Sequence, residues 1–422
     1  MHWVKTTALA AGAAAAAGGA IAQTKQQVTG PVATYWMSAA TQSGLGAGGG
    51  ANAMAAMMGG GSNVSKTLTL QLGSSRKAAA GPSAEHLPPV GLRAGQSLPL
   101  VTPAVQRTKE WNPDEFPKDY KPKGKILIYW GCGERVKQGQ PIVIDFATIA
   151  GGKVPPGLAA LNRSLAITPM NPPSSTRNAT YGEWPNEKTR TSVPAQGSLI
   201  GDHLIRGNYS PEIKFALAQD QDFLGGLNLT TNRMNPTGSA QIGWNTVPYA
   251  KAYLATTMGM GENDTMVMWS SSEIQTSTFA TPDYISGPDI TRLVGNKALM
   301  GPAATTCTVP QEVLKAAPHT MVQLAAYGGE TNISYPPRPA DPKTPWNIDW
   351  TLKVRYKSQT SGMLGMNMAE MMGGGQPGGA SGMGGPMGGM GAQPQQQQQP
   401  ALPGGALGGA ILRGLGGRLP GL

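Results

Sequence analysis

Histidine is scarce in this chain, and the four present (His2, His86, His203 and His319) fall at no spacing that reads as a metal-ligand motif. Adjacent Asp202 and His203 in "GDHL" point to opposite faces if that stretch is a strand, so they do not read as a catalytic pair. Asp220 and Asp222 in "AQDQDF" lack the glycine-centred acidic loop of a calcium motif and read as a solvated turn. "GCGERV" has two glycines but no phosphate-binding helix signal behind it. After the first residues no apolar run is long enough to span a bilayer. No arginine precedes Arg76, which excludes an amphipathic organellar presequence. Charged residues make up 13% and aromatic residues 6%, so catalytic inventories are thin and no cofactor is expected.

What is present begins with "MHWVKTTALAAGAAAAAGGAIAQ", which has a short basic start at Lys5, an Ala-rich core and the small-x-small triplet Ala20-Ile21-Ala22. That is the anatomy of a signal peptide over residues 1–22, so the mature chain is expected to be secreted, periplasmic or held at the cell envelope. The two cysteines, Cys132 in "WGCGE" and Cys307 in "TTCTVP", are then an even count in an oxidising compartment. They form a disulfide candidate, with two buried thiols as the alternative. Net charge of +10 favours an anionic envelope polymer as partner through long-range attraction. The densest basic run carries Lys118, Lys121, Lys123 and Lys125; a solvated strand edge explains it equally well.

Alternation of apolar and polar residues dominates the ordered-looking parts, which predicts a mainly β protein. "TLTLQL" places Leu68, Leu70 and Leu72 on one face, and "TLKVRY" does the same with Leu352, Val354 and Tyr356. "KILIYW" and "PIVIDF" are nearly continuous apolar runs that read as central strands covered on both faces. Further strands follow in "EIKFAL", "AQIGW", "KAYLATTM", "DTMVMW" and "MVQLAAY", while "PDITRLVGN" and "PQEVLKAA" read as helical turns. Short strands separated by turn residues predict an antiparallel β-sandwich. The expected organisation is N-terminal strands with a Gly/Met-rich loop over 23–110, a β-rich region over 111–204, a sandwich over 205–360 and a disordered Gly/Met/Gln/Pro-rich tail over 361–422. A weak echo links "TYWMSAATQSGLG" and "VRYKSQTSGMLG", each of which leads into "MMGGG".

"AQIGWNTVPYAKAYLATTMG" resembles the B and C strands of fibronectin type III-like modules, with Trp244 and Tyr253 at the buried Trp and Tyr positions. "CTVPQEVLKAAPHTMVQLAAYG" is similar to their later loop and strand, so the resemblance covers residues 205–358 and implies a sandwich of that type. Together with "ILIYWGCGE" and "SYPPRPADPKTPW", the chain also resembles a family of secreted proteobacterial proteins, which implies export and no particular activity.

Three chemistries remain. Trp111, Trp184 and Trp346 lie in Pro/Asn-rich contexts and are candidates for stacking on sugar rings, with packing under long loops as the alternative. Met363, Met366, Met368, Met371 and Met372 form a strip of soft thioethers that suits Cu(I), although no histidine or cysteine stands beside them and methionine also serves as adaptable apolar filler. A hydrolase acting on an envelope polymer would need carboxylates or His203 converging in a loop cleft. The reading favoured by these residues is a non-enzymatic, exported β-sandwich that binds a polymer or another protein. No specific nucleic-acid contact is expected.

Overall fold

The computed structural model describes residues 26–44, 64–104, 124–150, 167–189, 191–275 and 283–365. The signal-peptide segment, Trp111, Lys118, Lys121, Lys123, Met366, Met368, Met371, Met372 and the remaining tail lie outside the described residues. In chain order the strands are β1 (Val28–Thr29), β2 (Ala33–Gly44), β3 (Val64–Ser74), β4 (Ala84–Leu87), β5 (Leu98–Leu100), β6 (Lys125–Trp130), β7 (Ile142–Asp145), β8 (Thr180–Trp184) and β9 (Gly201–Gly207). They continue as β10 (Ile213–Leu217), β11 (Leu229–Met234), β12 (Ala240–Trp244), β13 (Ala252–Met260), β14 (Thr265–Ser270), β15 (Thr306–Val309), β16 (Thr320–Tyr335), β17 (Trp346–Asn347) and β18 (Trp350–Met363). The helices α1 (Phe146–Ala150), α2 (Gly287–Gly295) and α3 (Gln311–Ala316) are short. The protein is therefore mainly β, with its strands divided among several sheets.

The largest sheet has nine strands in the order β7-β6-β14-β13-β16-β18-β2-β3-β8. Its strands come from all three stretches that the sequence divides at residues 110 and 204. A four-stranded sheet (β10-β9-β4-β5), a three-stranded sheet (β11-β12-β15) and the parallel pair β1-β17 complete the set. Most neighbours in the nine-stranded sheet are antiparallel, but β18 runs parallel to β2, and β14 runs parallel to β6.

Period-two alternation assigns each strand's side chains to two faces. The first face carries Tyr35, Met37 and Ala39 of β2, Leu68, Leu70 and Leu72 of β3, Val322, Leu324 and Ala326 of β16, and Leu352, Val354 and Tyr356 of β18. These pack in one core with Ile205, Ile213 and Phe215 of the four-stranded sheet and with Ile242, Trp244 and Val309 of the three-stranded sheet. Trp244 and Tyr253 meet there with ring centroids 5.7 Å apart, and Val247 N–H donates to the Tyr253 hydroxyl at 3.0 Å.

On the second face α2 lays Ile290 and Leu293 over Ala252, Leu254, Ala325 and Tyr327. Ser286 caps that helix by accepting from Asp289 N–H. A separate cluster joins Ile126, Ile128, Ile144 and Met268.

Cys132 follows β6 and Cys307 lies on β15; their sulfurs are bonded, tying a loop of the nine-stranded sheet to the three-stranded sheet across 175 residues of sequence.

Three expectations need correction. "PIVIDF" is an edge strand, not a central one: β7 pairs only with β6, Val143 is 44% exposed, and the chain turns into α1 at Phe146. The ordered part runs past the expected boundary at residue 360, because β18 continues to Met363, Leu364 is buried in the main core, and Gly365 N–H donates to Asn232 Oδ1 at 2.7 Å. Trp184 is no surface aromatic. It closes β8 at 1% exposure, packed in the main core where β8 crosses Leu70 of β3, and its indole N–H meets no acceptor among the described residues.

Closing so long a loop restricts the unfolded chain strongly. Replacing both Cys132 and Cys307 with Ala is expected to lower unfolding free energy by about 2–5 kcal/mol. Urea denaturation of the two proteins measures it, and equal midpoints would contradict it.

Candidate functional site

Register on the second face brings together residues that no sequence motif connects. Cross-strand partners emerge on the same face, and the rows read Gln71–Trp36–Lys353–Asn332, then Thr69–Ser38–Arg355–Glu330, then Thr67–Ala40–Lys357–Tyr327. Lys353, Arg355 and Lys357 thus form a row along β18, alternating with the buried Leu352, Val354 and Tyr356.

Two aromatic rings flank the row. The Arg355 guanidinium carbon lies 5.0 Å from the Trp36 ring centroid and 4.4 Å from that of Tyr284. Lys353 Nζ stands 5.4 Å from Trp36, and Lys357 Nζ stands 4.9 Å from Tyr284. Both lysines have carboxylate partners, Lys353 with Glu330 and Lys357 with Asp283, each at 2.6 Å. Arg355 has none within salt-bridge distance among the described residues; it donates from Nε to Ser38 Oγ at 2.8 Å and from Nη1 to Met170 Sδ at 3.4 Å. Burial lowers the Arg355 pKa, while Tyr284, Asp283 and Glu330 oppose that shift electrostatically. Ring faces, a hydroxyl and a thioether therefore stabilise the cation where water is partly excluded. Three cations against two carboxylates leave the cluster with an excess positive charge, which an anion would complement.

A β-bulge sets this arrangement. Before it, odd-numbered residues of β16 share the second face with Tyr327; the register then shifts between Tyr327 and Gly329, and Glu330 pairs with Arg355. Gly329 adopts φ of +80°, and a Cβ there would stand 3.2 Å from Lys251 Nζ, so the turn of the bulge favours glycine. The shift moves Glu330 to the face where it meets Lys353.

Beyond the cations the same face carries Ser65, Gln42, Gln359 and then Ser361, Gln323 and Thr256, all half-buried or exposed. This band offers amide and hydroxyl groups along one face of the sheet.

Other candidates are scattered. Lys125, on β6, is exposed and 3.6 Å from Asp145. Trp346 is half-buried beside β1, its Nε1 donating to Pro336 O at 2.9 Å and Arg338 lying 5.6 Å above its ring. It does not share a surface with Trp184, which is in the core.

His86 and His203 meet, although 117 residues separate them in sequence. Tyr35 Oη and His86 Nδ1 are 2.8 Å apart, His86 Nε2 and His203 Nδ1 are 2.9 Å apart, and His203 Nε2 is 2.7 Å from Leu199 O. The carbonyl can only accept, so His203 carries its proton on Nε2, His86 donates to His203 Nδ1, and Tyr35 donates to His86 Nδ1. A shallow depression of about 380 Å³ beside Asp202, Lys214 and Phe215 borders His203. Both its ring nitrogens are nonetheless committed, and it is only 1% exposed. Burial pushes the His86 pKa well down, with His203 adding to the shift. Burial also lowers that of His203, opposed by the Leu199 carbonyl and Asp202. This is a neutral, fully paired chain that joins β2, β4 and β9 beneath the first face.

Among the described residues no group of three His, Cys, Asp or Glu side chains is placed to hold a metal. Also among them, no helix is long and apolar enough to cross a membrane. No family model matches the chain, and no curated protein matches it.

Both histidine pKa values are depressed in the fold, so the unfolded chain takes up more protons once pH drops below the ordinary histidine value of about 6.5. The stabilisation is complete above that pH and is lost as pH falls. Unfolding free energy is expected to decrease from pH 7.5 to pH 5.5, and the decrease should shrink in His86→Leu. An equal pH dependence in both proteins, measured by urea titration, would contradict the assignment.

Proposed function

We propose that the chain is an exported, non-enzymatic β-sandwich module that binds an anionic polymer on the Lys353–Arg355–Lys357 face. The observation carrying this reading is the Arg355 guanidinium, held between Trp36 and Tyr284 without a carboxylate of its own among the described residues. A carboxylate- or phosphate-bearing chain would supply that partner and exchange with Asp283, whose side chain is 85% exposed, at Lys357. The neighbouring Gln/Ser/Thr band offers hydrogen bonds to hydroxyl groups along the same polymer. Positive net charge supports attraction of such a ligand from a distance.

Export is supported by the opening sequence and by the Cys132–Cys307 bond, which suits an oxidising compartment. A sandwich is supported by the core shared between the nine-stranded sheet and the two smaller ones. Kinship of residues 205–358 with fibronectin type III-like modules is supported by the contact of Trp244 on β12 with Tyr253 on β13, strands that belong to different sheets.

Binding to immobilised polygalacturonate at low salt tests the proposal against neutral dextran. Arg355→Gln is expected to weaken polygalacturonate binding about tenfold, the scale of a charge-assisted contact. Asp283→Asn, which removes the competing carboxylate, should strengthen it. Unchanged affinity in both variants, or equal affinity for dextran, would overturn the reading.

A further inference from the structure

At the other end of the second face the register produces a row of methionines. Met268 of β14 pairs with Met258 of β13, Met258 pairs with Met321 of β16, and Met321 pairs with Met363 of β18. Met260 and Met266, paired with each other, start a second row one pleat further on. Directly paired residues share a face with Cβ atoms about 4.5–5.5 Å apart, so four thioethers emerge side by side on four adjacent strands.

Packing does not account for all of them. Met268 is buried with Ile126, Ile128 and Ile144, and Met258 and Met266 pack half-buried against that cluster, but Met321 is 47% exposed and Met260 is 53% exposed, while Met363 is half-buried. Strand formation itself favours β-branched and aromatic side chains over methionine. A surface position gains little from an adaptable apolar filler.

We propose that Met258, Met321 and Met363 form a binding site for a soft monovalent cation of the Cu(I) class. Thioethers are neutral, polarisable donors that select such ions over hard divalent ones. Three of them on neighbouring strands of one sheet are spaced by the backbone at about 4.8 Å, and each has enough torsional freedom to turn its sulfur toward a common point. The site lies on the sheet itself, ahead of the Met366, Met368, Met371 and Met372 strip, and is separate from the cation row at Arg355. Because no ligand has to lose a proton, affinity should be insensitive to pH, unlike a site built from His, Cys or carboxylate.

Ag(I) is a suitable probe because it needs no reductant and so leaves the Cys132–Cys307 bond closed. Calorimetric titration of the full, disulfide-bonded chain in chloride-free buffer should show saturable binding whose affinity changes less than about twofold between pH 5 and pH 7.5. The triple variant Met258→Leu, Met321→Leu, Met363→Leu preserves apolar volume and should lose at least about tenfold in affinity. Met321→Leu alone, at an exposed position, should lose about threefold and serves if the triple variant misfolds. Replacing Met366, Met368, Met371 and Met372 with Leu should leave that binding intact. Absence of saturable Ag(I) binding by the unmodified chain, undiminished binding by the folded triple variant, or a steep loss of affinity on acidification would overturn the proposal.

Discussion

The parallel pairing of β2 with β18 is the constraint on which the rest of the structure depends. It aligns Ala33 with Trp350 and continues in register to Gly44 and Ser361, joining strands more than 300 residues apart in sequence. On one side β2 carries β3 and β8; on the other, β18 carries β16, β13, β14, β6 and β7. Without this seam the nine-stranded sheet would be two smaller ones, each with an open edge. The seam also sets both surfaces at once. A slip of one residue would turn Leu352, Val354 and Tyr356 outward and drive Lys353, Arg355 and Lys357 into the core. The cost of burying those charges and the gain from burying the apolar residues both oppose such a slip.

The second face then changes character along its length. Cations and aromatic rings occupy the end near Trp36, amides and hydroxyls follow, methionines occupy the far end, and α2 covers the β13 and β16 part of the rows that hold Lys357 and Gln359. The gradation follows from long strands. β2, β16 and β18 run for 12, 16 and 14 residues, so one face crosses several environments. The bulge at Gly329 is the one break in the β16–β18 register, and it delivers the carboxylate that Lys353 needs.

Much of the strand content was legible because half-buried strands leave an alternating trace; "TLTLQL" and "TLKVRY" are strands with the inward residues expected of them. "PQEVLKAA" likewise yields α3 behind Pro310. Edge and centre were not legible for "PIVIDF", since a continuous apolar run does not show whether a second neighbour pairs with it. The echo between "TYWMSAATQSG" and "VRYKSQTSGM" has a spatial counterpart, because these segments are the β2 and β18 neighbours, with Gln42 beside Gln359. The candidate site was half visible. The spacing of Lys353, Arg355 and Lys357 marks one strand face, but Trp36 and Tyr284 reach it through pairing and loop placement that no local pattern encodes. For Trp184 the Pro/Asn-rich context left stacking and packing both open, and its burial at the end of β8 selects packing, on a strand and not under a loop.

Hydrogen exchange tests the seam most directly, since amides that open only through global unfolding share one exchange free energy. The structure predicts that residues 33–44 and 350–361 exchange together, and as slowly as any other segment of the chain. Exchange of 33–44 orders of magnitude ahead of 350–361, with β13 and β16 still protected, would show that the sheet divides between β2 and β18 and would contradict the account.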